Sequence, residues 1–481
     1  MAFTRGYSTQ PSFVASMLLG GVIFSIVLLA ELPGGNLINL AVSGTFVACV
    51  LAVTFLGNRA LWFGREVGLL VAWLAFSTLP SFFAPDVETA FFKALTMLQL
   101  VALVFCVQQV MVWQKSVAFL LMLYGVAVAM AYGVTFTELS ISQVADTELR
   151  EGGERVASTL VNENKFGAAC VMGLSLCLLS AAVGGARWLQ LLWAIVVPLL
   201  MFAAMNSGSR TALLGAVLVL AGSAWAFKVW RGAFLTRAIV TAPVFAVVGA
   251  VLFIVAQSNP IVAERIEQTF DAEGAIVTRV SEFFTFLATG DSRAESGESI
   301  DSRTDMIGEG IAILSDNPVI GVGLDNFRHV SEAGTYSHSN PIEVSVSTGL
   351  VGLLLYYSIY ALIGWRALVL NVRSRGHAVP RMVLVAMAGY SLMDLTHISY
   401  YEKTSWLFLA LLTATLEIFS RGLAQQQGAR GKRRRRRRRR TLATEAESPE
   451  VFEDLDELDD VLGEAVSSDP PDQELGSRPA A

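Results

Sequence analysis

Residues 91–111, FFKALTMLQLVALVFCVQQVM, form an apolar run that contains a single charge, Lys93. A helix needs about 20 apolar residues to cross the hydrocarbon layer of a membrane, so this run predicts a membrane-spanning helix. The chain holds eleven more runs of this kind, at 12–30, 36–56, 66–83, 116–136, 164–183, 187–205, 209–228, 238–256, 342–364, 379–398 and 404–420. The sequence therefore predicts an all-α integral membrane protein with about twelve transmembrane helices.

The composition agrees with a membrane protein. Of the 481 residues, 54% are apolar and only 16% are charged, whereas soluble proteins have about 25% charged residues. This excludes a disordered chain and argues against an ordinary soluble enzyme. The four cysteines, Cys49, Cys106, Cys170 and Cys177, lie in apolar runs without a C-x-x-C pair. They indicate packing residues rather than a disulfide framework or a thiolate metal site.

Lysines and arginines predict the orientation, because cytoplasmic loops of membrane proteins carry an excess of them. If the N-terminus lies inside, the short outside loops hold only Lys93, Arg210 and Lys403. The reverse orientation would translocate most of the loop arginines and the run Arg433–Arg440. We therefore expect a multi-pass protein with both termini in the cytoplasm.

The connection between the ninth and tenth spans, about 258–341, is long and lies outside in this topology. Connections of this length are usually functional or disordered. Within it, Asp301-Ser302-Arg303 opens an apolar stripe at helical spacing, formed by Met306, Ile307, Gly310, Ile311 and Leu314. This stripe predicts a short amphipathic helix on the outer membrane face, ended by Asn317-Pro318.

The C-terminal segment differs from the polytopic membrane domain expected over 1–420. Residues 421–440 are basic and residues 441–481 are strongly acidic. A basic run next to a membrane attracts anionic lipid headgroups, so membrane lipids are the expected partner. A lone basic run is weak support for nucleic-acid binding, and no nucleic-acid partner is expected. The acidic segment is expected to be a disordered cytoplasmic tail.

Three spans begin on the outer side with polar residues. The eighth begins at Ser209-Arg210, where Ser209 is suited to cap the helix and the guanidinium of Arg210 adds a charge matched to phosphate oxygens. Alternatively, Arg210 is an interfacial residue that reaches lipid headgroups. The sixth span begins at Asn164-Lys165. Arg303 opens the loop helix, where it is either a phosphate ligand or a partner for Asp301 or Asp305.

The tenth span is preceded by His338 and begins near Ser339-Asn340-Pro341. Proline suits a first helical turn, and Ser339 or Asn340 suits the cap. The positive end of the helix disfavours imidazolium, so His338 is a candidate proton acceptor. The alternative is a structural histidine bonded to the backbone. Among the other histidines, His397 lies at the outer end of the eleventh span and is a weaker candidate.

Several enzyme signatures are absent from the sequence. It contains no P-loop, H-E-x-x-H, G-x-S-x-G or Rossmann motif, and no Asp/Glu/His cluster at metal-ligand spacing. We therefore expect neither a metal nor a cofactor. Chemistry on the outer face must use a substrate that is already activated, since nucleotides are on the other side.

The chain resembles the O-antigen ligase and polymerase superfamily of bacterial envelope glycan enzymes. His338-Ser339, nine residues, Gly349, two residues and Gly352 fit the family's H-[NSQ]-x9-G-x-x-G signature, although the usual second residue is Asn. Three further stretches are similar to family motifs: Ser209–Leu214, Ser302-Arg303 with Asn317–Gly323, and, less closely, Asn162–Asn164.

The resemblance implies a GT-C-like membrane fold and transfer of a glycan from undecaprenyl diphosphate to an acceptor hydroxyl on a glycan or lipid, outside the bacterial inner membrane. It implies that Arg210 and Arg303 bind the diphosphate and that His338 acts as general base or orients the acceptor. Ser209, Asn164, Lys165 and Asn340 are the expected substrate-binding residues. The alternatives are a polysaccharide polymerase of the same superfamily, a transporter or flippase, and a scaffold protein that uses the tail.

Overall fold

A computed structural model of the protein describes residues 13–29, 35–56, 61–113, 117–134, 163–184, 187–207, 209–228, 297–332 and 334–446. The ninth predicted span, 238–256, lies outside these residues. The chain divides into two compact units, Met1–Ser420 and Arg421–Ala481. The description below concerns the first unit; in the second, residues 421–446 are helical.

The described residues contain helices and no strand, which confirms the all-α prediction. The helices are α1 Phe13–Leu28, α2 Gly35–Leu56, α3 Arg65–Ser77, α4 Val87–Trp113, α5 Val117–Val134, α6 Glu163–Val183, α7 Arg187–Asn206, α8 Arg210–Phe227, α9 Gly297–Asp316, α10 Phe327–Val330, α11 Asn340–Arg373, α12 Ala378–Asp394 and α13 Lys403–Ala446. The predicted amphipathic helix is present as α9.

Seven segments of the described residues are long and apolar enough to cross a membrane: Ile38–Phe55, Arg65–Phe83, Val87–Trp113, Val117–Val134, Asn164–Val183, Asn340–Arg373 and Lys403–Ala429. Shorter apolar helices occur at Met17–Leu28, Leu191–Asn206 and Thr211–Phe227. In the third predicted span, α3 ends at Ser77 and a 3₁₀ turn follows at Pro80–Phe83. The helix does not continue through Pro80, because the proline ring would clash with the preceding turn and the proline nitrogen has no N–H to donate.

Glycines allow close packing between the helices around α6. A Cβ at Gly389 of α12 would lie 2.6 Å from Val219 of α8, and one at Gly222 would lie 2.7 Å from Val385. The order of these pairs shows that α8 and α12 are antiparallel. Close backbone approach through small residues is a normal source of association between helices in lipid, where there is little hydrophobic drive.

The antiparallel packing separates two ends of the first unit. We call the end at which α4, α6, α8, α11 and α13 begin the polar end, and the other the basic end. The basic end carries Arg366, Arg375, Arg381 and Lys228, among other cations. There the Arg381 guanidinium lies 4.8 Å from the ring centroid of Trp225.

Candidate functional site

The start of α8 has the cap that the sequence predicts. The Ser209 hydroxyl accepts a hydrogen bond from the Ala212 N–H at 3.3 Å, and the Ser209 carbonyl accepts from Leu213 at 3.1 Å. Arg210 is the first residue of α8, and its side chain lies outside the described part of the structure. The cap satisfies an N–H group that would otherwise be unpaired at the helix terminus.

The start of α6 lies against the start of α8. A Cβ at Gly167 would be 2.6 Å from the Cβ of Ala212 and 3.0 Å from Ser207 Oγ. Asn164 and Lys165 precede this contact in the first turn of α6. Two of the sequence-predicted groups, Ser209 and Lys165, are therefore held at neighbouring helix starts by a glycine contact.

Lys165 connects α6 to the segment between α12 and α13. Its Nζ lies 2.9 Å from Glu402 Oε1, and both side chains are partly exposed. This ion pair joins the start of α6 to the connection that precedes α13.

His338 lies in a tight turn immediately before α11. Its φ of 55° is in the left-handed region, which few non-glycine residues adopt and which is found at functional sites more often than elsewhere. The ring centroids of His338 and Tyr336 are 4.3 Å apart. Ser337 fixes the turn, because its N–H donates to Glu343 Oε2 at 3.0 Å and its hydroxyl donates to the Ser339 carbonyl at 2.9 Å.

Asn340 is fully buried, and its side chain binds other parts of the protein. The amide oxygen accepts from the N–H groups of Ser399 and Tyr400, at 2.9 and 3.0 Å, and Nδ2 donates to Asp394 at 3.1 Å. Asn340 thus ties the start of α11 to α12 and the following connection. The predicted role in substrate binding stays a prediction, and these bonds give Asn340 a positioning role.

Tyrosines of α11 extend the hydrogen-bond network of Asn340 further along the helix. Tyr357 donates to Asp394 at 2.6 Å, and Ser399 also donates to this carboxylate. Tyr356 is within hydrogen-bond distance of Tyr360, at 2.9 Å. A buried carboxylate is stable only when it is hydrogen-bonded in this way, so the network holds the end of α12 rigidly against α11.

His397 was a weak candidate in the sequence, but the structure places it in the same group. It lies between α12 and α13, on the segment that Asn340 holds. His397 is half-buried, and Lys165 and His338 are close enough to interact with it electrostatically. The sequence alone could not predict that His397 lies near His338, because the two histidines are 59 residues apart along the chain.

A second ionic group lies at the polar end, on the loop after α9. Lys93 of α4 is 3.0 Å from Asp325, and its Nζ lies 3.7 Å from the ring centroid of Tyr401. Arg328 binds the other oxygen of Asp325. These contacts fasten the predicted outer loop to α4 and to the connection that carries His397.

The helix α11 is broken near the site, and the turn after α9 fills the break. Gly349 has φ 66° and ψ −175°, a conformation that is essentially restricted to glycine. The carbonyls of Val346 and Ser347 accept from Val322 and Gly323, at 2.9 and 3.0 Å. The N–H of Leu350 donates to the Pro318 carbonyl at 2.8 Å. The turn 317–323 thus replaces hydrogen bonds that the helix loses.

The structure therefore brings together the helix starts that carry Ser209, Asn164, Lys165, His338 and Asn340. It places Arg210 and Arg303 on the backbones of α8 and α9 without describing their side chains. Among the described residues, no group of three or more His, Cys, Asp or Glu side chains has an arrangement that suits a metal ion. The site offers cations, a helix cap and imidazole groups, which suit an anionic substrate and proton transfer.

Comparison with known families finds a match that includes part of this site. Residues 193–357, about a third of the chain, match the family model described as O-antigen ligase. The match runs from α7 to the first part of α11 and includes Arg210, Arg303, His338 and Gly349. It confirms the resemblance to the O-antigen ligase and polymerase superfamily. No curated protein sequence matches the chain.

Proposed function

We propose that this chain, in which residues 193–357 form an O-antigen ligase domain, is a membrane glycosyltransferase. It transfers a glycan from undecaprenyl diphosphate to an acceptor hydroxyl on the external face of the bacterial cytoplasmic membrane. The observation that carries the proposal is the grouping of His338, Lys165 and Ser209 at one end of the bundle, within or beside that domain.

Each residue type suits one part of this reaction. The acceptor oxygen forms a bond to the anomeric carbon, the bond from that carbon to the diphosphate oxygen breaks, and the hydroxyl proton passes to His338. Arg210 and Arg303 bind the diphosphate and stabilise the charge that develops on it. Lys165 and the N–H groups at the start of α8 add positive potential.

The distribution of cations supports an external site. Arg366, Arg375, Arg381 and Lys228 lie at the basic end, opposite to His338, and cationic ends face the cytoplasm in most membrane proteins. We therefore propose twelve spans in a GT-C-like arrangement with both termini inside. An external site has no access to nucleotide sugars, which favours a lipid-linked donor.

Deletion of the gene tests the proposed activity. A glycan linked to undecaprenyl diphosphate is expected to accumulate, because its consumption stops. Analysis of the surface polymer in the deletion strain also distinguishes a ligase from a polymerase. Loss of a ligase leaves long chains unattached, whereas loss of a polymerase leaves single repeats attached. The ligase is the proposal and the polymerase the alternative. Transport of the lipid-linked glycan across liposomes without glycosyl transfer would instead indicate a flippase.

The basic segment 421–440 has a separate role in this proposal. Its cations bind anionic headgroups, and each contributes about 1 kcal/mol near the surface. Truncation after Ser420 is therefore expected to leave glycan transfer intact in the deletion strain, at equal protein level in the membrane. The same truncation combined with His338→Ala is the inactive control. Loss of surface glycan from the truncated chain at normal abundance would contradict this separation.

A further inference from the structure

The turn 317–323 fits the break in α11 so closely that glycine is required on both sides of the contact. A Cβ at Gly321 would lie 2.5 Å from the amide nitrogen of Thr348 and 2.6 Å from that of Gly349. A Cβ at Gly349 would lie 2.6 Å from the nitrogen of Ile320 and would collide with the Val319 carbonyl. Both glycines also have positive φ, 73° and 66°. The contact therefore fixes the turn against α11 with little freedom.

Helix α9 ends immediately before this turn and packs on the first segment of α11. A Cβ at Gly310 would collide with Cγ2 of Ile342 and would lie 3.4 Å from the ring of Phe327. The carboxylate of Glu309 also accepts from the Ser331 hydroxyl at 2.7 Å. The backbone of α9 thus approaches α11 at a distance that only glycine at position 310 allows.

The contact between Gly310 and Ile342 lies between position 303 of α9 and His338, which precedes α11. Position 303 is seven residues before Gly310, which places both on the same face of α9, about 10 Å apart along its axis. Ile342 is four residues after His338. The Gly310–Ile342 contact and the docked turn are therefore the two fixed points between position 303 and His338.

We propose that the turn 317–323 and the Gly310–Ile342 contact form a positioning element that sets the distance between α9 and the start of α11 for the transfer reaction. The proposal rests on the proposed function. Gly310, Gly321, Gly349 and Ile342 are positioning residues, and none of them is assigned a contact with substrate. Displacement of a catalytic group by about 1 Å typically costs about 10²-fold in rate, so a single added methyl group has a large effect.

A size exchange at the contact tests the proposal. Gly310→Ala adds a methyl group that pushes α9 away from α11, and Ile342→Ala removes the carbon atom that it would meet. Gly308→Ala is the matched control, because it lies two residues away, on the opposite side of α9, and a Cβ there would meet nothing within 4 Å. Gly321→Ala is a stronger variant of the same kind, with the risk that the chain does not fold.

The rate is measured with full-length purified protein added to membrane vesicles from the deletion strain, with extracted lipid-linked glycan as the varied donor. Gly310→Ala is expected to lower kcat about 10- to 100-fold with KM for the donor changed less than about threefold, because binding groups remain but their alignment is lost. The double variant Gly310→Ala/Ile342→Ala is expected to regain most of kcat, and Gly308→Ala to match the unaltered protein.

A distance measurement provides a readout that does not depend on activity. Spin labels on cysteines at Asp305 and Leu350, both exposed, report the separation of α9 and α11 in a Cys49→Ser background. We expect a shift in Gly310→Ala that the double variant reverses. Normal kcat in Gly310→Ala, an unshifted distance, or failure of Ile342→Ala to rescue would each overturn the positioning role. Absence of transfer by the unaltered protein would overturn the proposed function, and this role in the reaction with it.

Discussion

Replacement of His338 by alanine is expected to lower glycan transfer about 10²- to 10⁴-fold, the usual contribution of a general base. The turn that holds His338 is stabilised by Ser337 and Glu343 through backbone and hydroxyl groups, so the substitution leaves those bonds intact. We therefore expect normal protein level in the membrane together with loss of surface glycan and accumulation of the lipid-linked intermediate. The measurement is glycan analysis of the deletion strain that expresses the variant.

A histidine at the basic end provides the matched control. His377 caps α12, where its Nδ1 accepts from the Val379 N–H at 3.3 Å. His377→Asn keeps a capping acceptor and is expected to leave transfer unchanged. If His338→Ala produced full surface glycan, the assignment of a base to this position would be wrong. If His377→Asn abolished transfer as well, the effect would reflect folding rather than chemistry.

The same experiment extends to the two arginines. Arg210→Ala and Arg303→Ala are each expected to cost about 10²- to 10³-fold in rate, since each removes a charge that stabilises the leaving diphosphate. Lysine at either position keeps the charge but not the planar donor fork, so partial activity is expected. Full surface glycan from Arg210→Ala, Arg303→Ala and His338→Ala, at normal protein levels, would contradict the proposed enzyme.

The helices and their caps could be predicted from the sequence because they depend on local patterns. The apolar run at 91–111 became α4, and the stripe after Asp301 became α9, which ends at Asp316 before the predicted stop at Asn317-Pro318. The cap at Ser209 likewise needs only its own helix. In each case, the residues that determine the element lie within a few turns of one another.

The network around Asn340 and the break in α11 could not be predicted in this way. Asn340 binds Asp394 and Ser399, which lie more than fifty residues later, and its sequence position at a helix start is equally compatible with a substrate ligand. Gly349 belonged to a recognised motif, but the backbone that requires it is the turn at 317–323. Spacing along the chain indicates that such a glycine is needed, whereas only the packing shows what it contacts.

A second large effect is expected at the basic end, from Arg366→Met. The Arg366 guanidinium binds Glu66 and lies 2.8 Å from Glu417, so it joins α11 to α3 and α13. Glu66 is almost fully buried, with 3% exposure. Removal of this guanidinium leaves the buried Glu66 carboxylate without the cation that it binds, which typically costs about 3–5 kcal/mol. The apparent Tm of the purified protein is therefore expected to fall by several degrees.

Charge removal separates this effect from a simple loss of packing. In the triple variant Arg366→Met/Glu66→Gln/Glu417→Gln no unpaired charge remains, so most of the lost Tm is expected to return. Arg373→Met, an exposed position in the last turn of the same helix, is the control and should melt as the unaltered protein does. Helices α11 and α13 both begin at the polar end, so Arg366 and Glu417 lie far from the candidate site. Arg366→Met is therefore expected to lower stability, whereas the protein that remains folded should keep its transfer rate. An Arg366→Met variant that melted normally but lost transfer would contradict this division between the two ends.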